Sequence, residues 1–400
     1  MTDGEDIRVT ESREPDMSDT DSGTTGSGPR TTALDAVHRA LGATMTDFAG
    51  WDMPLRYGSE RDEHVAVRSR AGLFDLSHMG EITVTGQQAG ELLDYALVGN
   101  LSRLAVGRAR YTMLCDASGG ILDDLIVYRT GEETYMVVAN ASNAQTVLDA
   151  LRERSAGFGA EVRDDRDTYA LIAVQGPEAA AILKGLTDAD LEGLRYYAGL
   201  PGTVAGRDAL IARTGYTGED GFELFVSPAD AVAVWEALTE AGAPAGLVPC
   251  GLSCRDTLRL EAGMPLYGHE LTTRTTPFDA GMGRIVKFEK TTNDGAFVGR
   301  EPLEAAAARA ETAPPRKLVG LIAEGRRVPR AGYEVVSAAD GSVIGEVTSG
   351  APSPTLGRPI AIAYVDPAYA EPGTEGVAVD IRGSHEPYEV VALPFYKRQR

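Results

Sequence analysis

The chain has 400 residues, of which 43% are hydrophobic and 24% charged, and its formal net charge at pH 7 is −21. This length and composition predict a soluble globular protein of two or three domains. The acidic balance excludes a broad basic surface for nucleic acid, and no apolar run approaches the roughly 20 residues that span a membrane. The start carries Asp3, Glu5 and Asp6 in place of a positively charged secretion signal, so the cytoplasm is the expected location.

Cysteine and histidine give little support for a metal site. The three cysteines (Cys115, Cys250 and Cys254) are too few for a disulfide scaffold, and no nearby histidine completes a zinc site with the pair at 250 and 254. We therefore expect no metal. His78, in FDLSHMGE, is expected to have a structural hydrogen-bonding role. Only five of the 38 basic residues are lysine, so any anion-binding site should consist mainly of arginine.

Four regions follow from the composition along the chain. Residues 1–31 are polar and acidic, which predicts a disordered tail. Residues 32–300 alternate strands and helices without a βαβ rhythm, which predicts two intertwined α+β domains with antiparallel sheets. Residues 301–316 read as a linker made of a helix and Ala-Pro-Pro. Residues 317–400 show strand-and-turn spacing without a helix, which predicts a small β-barrel or sandwich.

In chain order, the patterns predict a first helix from Thr32, followed by elements of both kinds. Predicted strands cover 81–86, 124–129, 135–140, 169–176 and 221–226, and predicted helices cover 88–97, 143–155, 177–186 and 228–242. A further helix begins near Ser253 and is stopped by Gly263 and Pro265.

The stretch GGILDDLIVYR (119–129) puts two adjacent carboxylates at the start of a strand. Successive strand side chains point to opposite faces, so Asp123 and Asp124 are not expected to share a proton. Asp124, Ile126 and Tyr128 share one face, where a carboxylate and a phenol could bracket a flat ligand. The alternative is that both aspartates only cap a turn, and spacing alone favours that alternative.

RTGYTGEDGFELF (213–225) contains two glycine turns before a strand in which Glu223 and Phe225 share a face. A carboxylate beside an aromatic ring suits the recognition of an amidine-like ring edge, because it offers two acceptor oxygens in one plane. The alternative is an ordinary exposed glutamate on a half-buried sheet. The residues alone leave the two interpretations evenly balanced.

The predicted helix in SCRDTLRLEAGMPLYG (253–268) carries Arg255 and Arg259 on one face. Two arginines in this arrangement could hold a carboxylate. Pairing with Asp256 and Glu261 of the same helix is the commoner outcome.

Taken together, seven stretches in order resemble the T protein of the glycine cleavage system, a tetrahydrofolate-dependent aminomethyltransferase family. The resemblance runs from about residue 32 to the final PFYKR. It rests on MTDFAGWDMPLRY, GLFDLSHMGEITVTG, GGILDDLIVYR, ALIAVQGPEA, RTGYTGEDGFEL, CRDTLRLEAGMPLYGHEL and GEVTSGAPSPTLGRPIAIAYV.

The resemblance implies an α+β, three-domain cloverleaf folate-binding fold with a C-terminal β-barrel domain. It implies release of ammonia from an aminomethyl group on the lipoylated H protein and transfer of the one-carbon unit to tetrahydrofolate. The products would be 5,10-methylenetetrahydrofolate and the dihydrolipoyl carrier. The other glycine cleavage components are further implied partners, and neither nucleic acid nor membrane is expected.

Matched residue by residue, the resemblance implies that Asp124 is the catalytic carboxylate near the folate nitrogen at position 10. It implies that Glu223 accepts from the pterin edge and that Arg255 contacts the anionic folate tail. Further folate contacts are implied for Tyr111, Tyr128, Tyr197 and Tyr396, the last in a segment that varies within the family.

Two alternatives share this fold. One is a folate-dependent demethylase, whose flavin-fused relatives would carry a dinucleotide fingerprint that is absent here. The other is a non-catalytic folate-binding accessory protein, which would carry a KGC-type motif where this chain has RLEAGMPLYG.

Overall fold

A computed structural model describes residues 28–312 and 316–398 of the chain. Helices and strands alternate irregularly up to residue 312 and only strands follow, apart from one 3₁₀ turn, so the predicted α+β class is confirmed. The α-helices are α1 (Asp35–Ala40), α2 (Glu60–Ser69), α3 (Ala89–Ala96), α4 (Ala144–Arg154), α5 (Ala179–Lys184), α6 (Ala231–Gly242), α7 (Leu252–Glu261) and α8 (Arg300–Thr312). No helix within these ranges is long and apolar enough to cross a membrane.

The strands form four sheets. Before the linker they are β1 (Arg30–Thr31), β2 (Thr44–Phe48), β3 (Trp51–Arg56), β4 (Gly72–Asp75), β5 (Gly80–Thr85), β6 (Ala109–Cys115), β7 (Ile121–Gly131), β8 (Thr134–Ala139), β9 (Glu161–Asp164), β10 (Ala170–Gln175), β11 (Gly199–Val204), β12 (Arg207–Ala212), β13 (Gly221–Val226) and β14 (Val248–Pro249). After it they are β15 (Lys317–Ile322), β16 (Glu334–Ser337), β17 (Val343–Ser353), β18 (Arg358–Val365), β19 (Val377–Asp380) and β20 (His385–Val391).

Two of these sheets pack face to face. The five-stranded sheet has the order β6-β7-β8-β5-β9, and the six-stranded sheet has the order β11-β12-β13-β10-β4-β14. Tyr128 and Met136 of the first sheet share one buried cluster with Leu171 and Phe225 of the second. Helices α3 and α4 cover the outer face of the first sheet, and α5 and α6 cover that of the second. Because helices cover the outer faces of both sheets, an interior site between the sheets must be formed by side chains of the two inner faces.

The third large sheet is a closed barrel of order β15-β18-β17-β16-β19-β20. This is one of the two architectures that the strand-and-turn pattern predicted, and the one that the resemblance implied. It packs on α7, where Leu260 joins a buried cluster with Ile322, Ile360 and Ile362. Glu261 at the end of α7 accepts hydrogen bonds from the backbone N–H and hydroxyl of Thr355 at 3.1 and 2.7 Å. The barrel is therefore joined to the rest of the protein by both apolar and polar contacts.

The predicted disordered tail, residues 1–31, extends two residues too far. Arg30 and Thr31 pair in parallel with Trp51 and Asp52. The Arg30 guanidinium lies 4.0 Å from the Trp51 ring centroid, a cation–π contact that helps to hold the strand in place. Residues 1–27 lie outside the described residues, as does the Ala-Pro-Pro of the predicted linker at 313–315. The boundaries 32–300, 301–316 and 317–400 stay predictions.

Candidate active site

Strand β7 carries the pair of aspartates, and its residues alternate between two environments. Leu125 and Val127 pack under the helices that cover the sheet, whereas Ile126 and Tyr128 face the second sheet. Asp123 is fully buried on the helix side, and Asp124 lies with Ile126 and Tyr128. The prediction that the two carboxylates lie on opposite faces is confirmed.

The glycine pair before this strand forms the turn that sets the direction of the strand. Asp116 and Gly120 are joined by a backbone hydrogen bond of 2.9 Å, and Gly119 has a φ of 87°, which favours glycine. A Cβ on Gly120 would lie 2.1 Å from the carbonyl oxygen of Thr273. GGILDD is therefore a tight turn, packed against the segment near residue 273, that sets where Asp124 emerges.

Asp124 is held by two neighbours. Its carboxylate accepts hydrogen bonds from the Tyr111 hydroxyl at 3.0 Å and from the Asn140 amide at 2.9 Å. Burial raises the pKa of Asp124 to about 6, and the two hydrogen bonds offset part of that effect. A carboxyl with this pKa is mostly ionised at neutral pH but close enough to titration to accept a proton.

Asp123 has a structural environment. It accepts from the backbone N–H of Asn140 at 3.0 Å and from the side-chain amides of Asn140 and Asn143 at 2.9 and 2.7 Å. Burial, and then the charge of Asp124, raises the pKa of Asp123 to about 7. The Asn140 amide contacts both carboxylates, so it fixes Asp124 relative to the strand. Asn140 ends an apolar strand in the sequence, which is a weak signal that sequence analysis missed.

Glu223 lies on the six-stranded sheet, 8% exposed, so it is not the surface glutamate that the sequence left open. Its carboxylate accepts from the Thr214 hydroxyl in a short contact and from the Tyr128 hydroxyl at 3.3 Å. Tyr128 also forms an edge-to-face contact with Phe225, with ring centroids 5.7 Å apart. Tyr128 and Glu223 therefore bring the two sheets together at one interior point.

The two arginines of α7 have different environments. Arg259 pairs with Asp256 at 2.8 Å and with Glu270 at 3.0 Å, so the first half of the pairing prediction is confirmed. Glu261 pairs instead with His64 and Arg68, which corrects the second half.

Arg255 makes no side-chain hydrogen bond or ion pair with any described residue, and its guanidinium lies 4.7 Å from the Tyr216 ring centroid. Burial lowers its pKa, while the nearby Glu223 charge opposes that change. Arg255 is therefore a half-buried cation that is available for an anionic ligand.

Tyr197 is close enough to both carboxylates for their charges to act on its hydroxyl. Its φ is 56°, and its backbone is held by hydrogen bonds with Ala109 and Arg213 at 2.9 and 3.0 Å. Burial raises the pKa of its hydroxyl, and the charges of Glu223 and Asp124 add to the effect. The structure thus brings together Asp124, Glu223, Arg255, Tyr111, Tyr128 and Tyr197.

Tyr396 lies at a different contact. Its ring packs under the Arg68 guanidinium at 4.0 Å, and its backbone N–H donates to the backbone carbonyl of Glu261 at 2.8 Å. Its hydroxyl is close to Glu219. No described contact joins it to Asp124 or Glu223, so its predicted folate contact stays a prediction.

Sequence analysis missed two further residues, although both lie in the quoted stretch 213–225. Thr214 donates to Glu223. Tyr216 packs against the Arg255 guanidinium, and the charges of Arg259, Asp124 and Arg255 act on its hydroxyl. His78 was expected to make a structural hydrogen bond. Its buried Nδ1 has no partner among the described residues, and burial together with Arg255 lowers its pKa to about 4.

This set of groups can bind and transfer protons to a polar aromatic ligand. One carboxylate is fixed and near its titration point, and a second accepts hydrogen bonds. The half-buried guanidinium of Arg255 has no hydrogen-bond or ion-pair partner among the described residues. Tyrosines supply aromatic walls. No described cysteine or serine stands next to a general base in this set, so the geometry favours acid–base and electrostatic catalysis.

Comparison with known proteins agrees with this architecture. Residues 34–290 match the GCVT N-terminal domain, and residues 316–397 match the glycine cleavage T-protein C-terminal barrel domain. An aminomethyltransferase of Streptomyces avermitilis is 80% identical over 372 residues, covering 93% of this chain and 99% of that protein. An aminomethyltransferase of Bacillus subtilis is 44% identical over 92% of this chain and 99% of its own length.

A solved structure of a related aminomethyltransferase also matches the chain over most of its length. The crystal structure of glycine cleavage system aminomethyltransferase T from Bartonella henselae is 39% identical, with a TM-score of 0.84, covering 92% of this chain and 98% of that one. The chain belongs to the glycine cleavage T-protein family. At this identity and coverage it is an aminomethyltransferase, as the resemblance implied.

Proposed function

We propose that the chain releases ammonia from an aminomethyl group carried on the lipoyl arm of the H protein and transfers the one-carbon unit to tetrahydrofolate. The products are 5,10-methylenetetrahydrofolate and the dihydrolipoyl carrier. The observation that carries the proposal is the Asp124 carboxylate, held by Tyr111 and Asn140 and with its pKa raised to about 6. The cytoplasmic location predicted from the sequence is part of the proposal.

The residues present suit tetrahydrofolate. Its pterin edge presents N–H groups of an amidine type, which match the buried acceptor Glu223. Its glutamate tail is anionic, which matches the guanidinium of Arg255, since that group has no hydrogen-bond or ion-pair partner in the part of the chain that the structure describes. Tyr128 and Tyr197 then line the aromatic part of the site. When bound, tetrahydrofolate supplies the amine nitrogens that take up the one-carbon unit.

The catalytic role belongs to Asp124. Loss of ammonia from an aminomethyl group develops positive charge on the carbon, and a carboxylate stabilises that charge most strongly where water is excluded. Asp124 is anionic at neutral pH and can also accept the proton that an attacking amine loses. Tyr111 and Asn140 hold the carboxylate in one orientation, so less ordering is needed during the reaction.

Binding of tetrahydrofolate tests the site apart from turnover. We expect the wild type to bind tetrahydrofolate in an anaerobic calorimetric titration, and Glu223→Gln to raise Kd about tenfold or more, because a charge-assisted hydrogen bond contributes about 1.5–3 kcal/mol. Glu240→Gln, an exposed change on α6, is the matched control and should leave Kd unchanged. Equal Kd values for Glu223→Gln and the wild type would refute the assignment of Glu223.

A further inference from the structure

The C-terminal barrel carries a cavity that shares no residue with the candidate active site. Its volume is about 430 Å³, within the range of small-molecule pockets. It is lined by Arg327, Val328, Arg330, Tyr333, Ile381 and Arg382. Half of these lining residues are arginines, in a chain with 59 acidic and only 38 basic residues.

The positive charge of this cavity is mostly uncompensated. Arg327 pairs with Glu386 at 2.9 Å. Within residues 28–312 and 316–398, no carboxylate lies within 4.0 Å of Arg330 or Arg382. Arginine side chains in a concave site favour phosphate or carboxylate, because the planar guanidinium can donate two parallel hydrogen bonds to either group.

The backbone beneath these arginines is fixed. The Tyr388 hydroxyl donates to the carbonyl of Arg327 at 2.9 Å, and the backbone N–H of Tyr333 donates to the carbonyl of Arg330 at 3.1 Å. Gly332 N–H donates to Val347 across the barrel at 2.8 Å. The arginines therefore start from an ordered loop, which lowers the entropy that a ligand must overcome.

Arg382 occupies an unusual position for its residue type. It and Gly383 form the two-residue turn between β19 and β20, with φ values of 59° and 82°. The flanking residues Ile381 and Ser384 exchange backbone hydrogen bonds of 2.9 and 3.3 Å. Asn, Asp or Gly is favoured at the first position of such a turn, so arginine is held there at a conformational cost.

The cavity also has an apolar side. Ile381 is 7% exposed, and Val328 and Tyr333 are half-buried beside it. A bare inorganic anion would leave this surface unused, whereas a ligand with a ring or short carbon skeleton would cover it.

We propose that this cavity is a binding site for a small organic polyanion, whose phosphate or carboxylate groups are held by Arg327, Arg330 and Arg382. The ring or carbon skeleton of the ligand packs against Tyr333 and Ile381. The site is separate from the proposed reaction and does not depend on it.

Calorimetric titration of the full chain with ADP at low salt tests the proposal, with adenosine and inorganic pyrophosphate as companion probes. We expect one ADP per chain, weaker binding of pyrophosphate, and no saturable binding of adenosine. The double variant R330Q/R382Q should raise the Kd for ADP at least about tenfold. The matched control R61Q/R152Q removes two exposed arginines elsewhere and should leave that Kd unchanged.

Thermal unfolding of both double variants shows whether the barrel is intact. Both should have the same Tm as the wild type, because the changed side chains are exposed. Absence of saturable ADP binding to the wild type would overturn the proposal. Equal ADP affinity in R330Q/R382Q and the wild type would overturn it too, as would adenosine binding as tightly as ADP.

Discussion

The hydroxyl of Tyr128 reaches a carboxylate oxygen of Glu223 at 3.3 Å, from one sheet to the sheet that faces it. The two residues are 95 positions apart in the chain, and both are buried. Asp124 lies on the same strand face as Tyr128. The position of Asp124, the proposed catalytic carboxylate, relative to Glu223, the proposed ligand acceptor, is therefore set by the packing of these two sheets.

Tyr128→Phe removes the hydroxyl and keeps the ring. The hydrogen bond to the Glu223 carboxylate is long at 3.3 Å, so we expect it to contribute about 1 kcal/mol and its loss to raise Kd for tetrahydrofolate about fivefold if the hydroxyl orients Glu223 for the ligand. Calorimetric titration measures the change. Tyr388→Phe, which removes another largely buried hydroxyl in the barrel, is the control and should leave this Kd as it is. An unchanged Kd for Tyr128→Phe would show that the Tyr128 hydroxyl does not contribute to ligand binding and that the residue acts only through the packing of its ring.

Glu81 is fully buried on the face of the five-stranded sheet that carries Asp124, and neither carboxyl oxygen has a hydrogen-bond partner among the described residues. Burial, and then the charge of Asp165, raises its pKa well above 4.5. The neutral carboxyl therefore favours folding at low pH, and this contribution is lost as pH rises through the raised value.

From this environment we expect Glu81→Met to stabilise the protein at alkaline pH by about 1–3 kcal/mol, the usual cost of an unsatisfied buried polar group. The gain should shrink at mildly acidic pH, where Glu81 in the wild type is neutral. Urea unfolding at the two pH values measures it, with the exposed change Glu153→Gln as the control. A variant less stable than the wild type at alkaline pH would show that Glu81 has a partner in solution.

Glu261 joins α7, α2 and the barrel. Burial alone would raise its pKa, but hydrogen bonds and charges from His64, Ser353 and Arg68 lower it to about 2. Its stabilising contribution is therefore present above the unfolded value near 4.5 and is lost as pH falls from there toward 2.

Glu261→Gln leaves the Arg68 charge without this partner, so we expect a loss of about 3 kcal/mol in the free energy of unfolding at neutral pH. The difference from the wild type should narrow as pH falls below 4.5. Chemical unfolding across this range measures it, and Glu240→Gln serves as the control. A loss that stays constant down to the lowest pH would mean that the charge of Glu261 does not stabilise the fold.

Local rules were sufficient for part of the site. The alternation of side chains along a strand placed Asp124 and Tyr128 on one face, because that pattern depends on neighbouring residues only. The environment of Glu223 was not predictable in the same way, since Tyr128 lies on another sheet. The same limit applies to Glu261, whose partner His64 is 197 positions away.

The two arginines of α7 also show what a local pattern cannot predict. Their spacing of four residues put both on one helix face, yet Arg259 meets Glu270 from a later loop and Arg255 meets no carboxylate among the described residues. Which arginine remains available for a ligand depends on the segments that pack against the helix. The family resemblance supplied that information, and the helix pattern did not.

The titration of Asp124 should determine how kcat depends on pH. Because burial raises its pKa to about 6, we expect kcat to fall as pH drops through about 6, where the carboxylate becomes protonated. Tyr111→Phe removes a hydrogen bond to the ionised form, so it should move this limb of the pH profile upward. Steady-state rates across pH measure both effects. If the apparent pKa of the acidic limb is the same in Tyr111→Phe and in the wild type, the limb reports the titration of a group other than Asp124.

The most direct test of the central claim is ammonia release from the aminomethylated lipoyl carrier, with and without tetrahydrofolate, for the wild type and Asp124→Asn. We predict folate-dependent release in the wild type and a fall of about 10²-fold or more in the variant, with tetrahydrofolate still bound. Folate-dependent release that survives in Asp124→Asn would contradict the catalytic role of Asp124. No release from the wild type would contradict the proposed reaction itself.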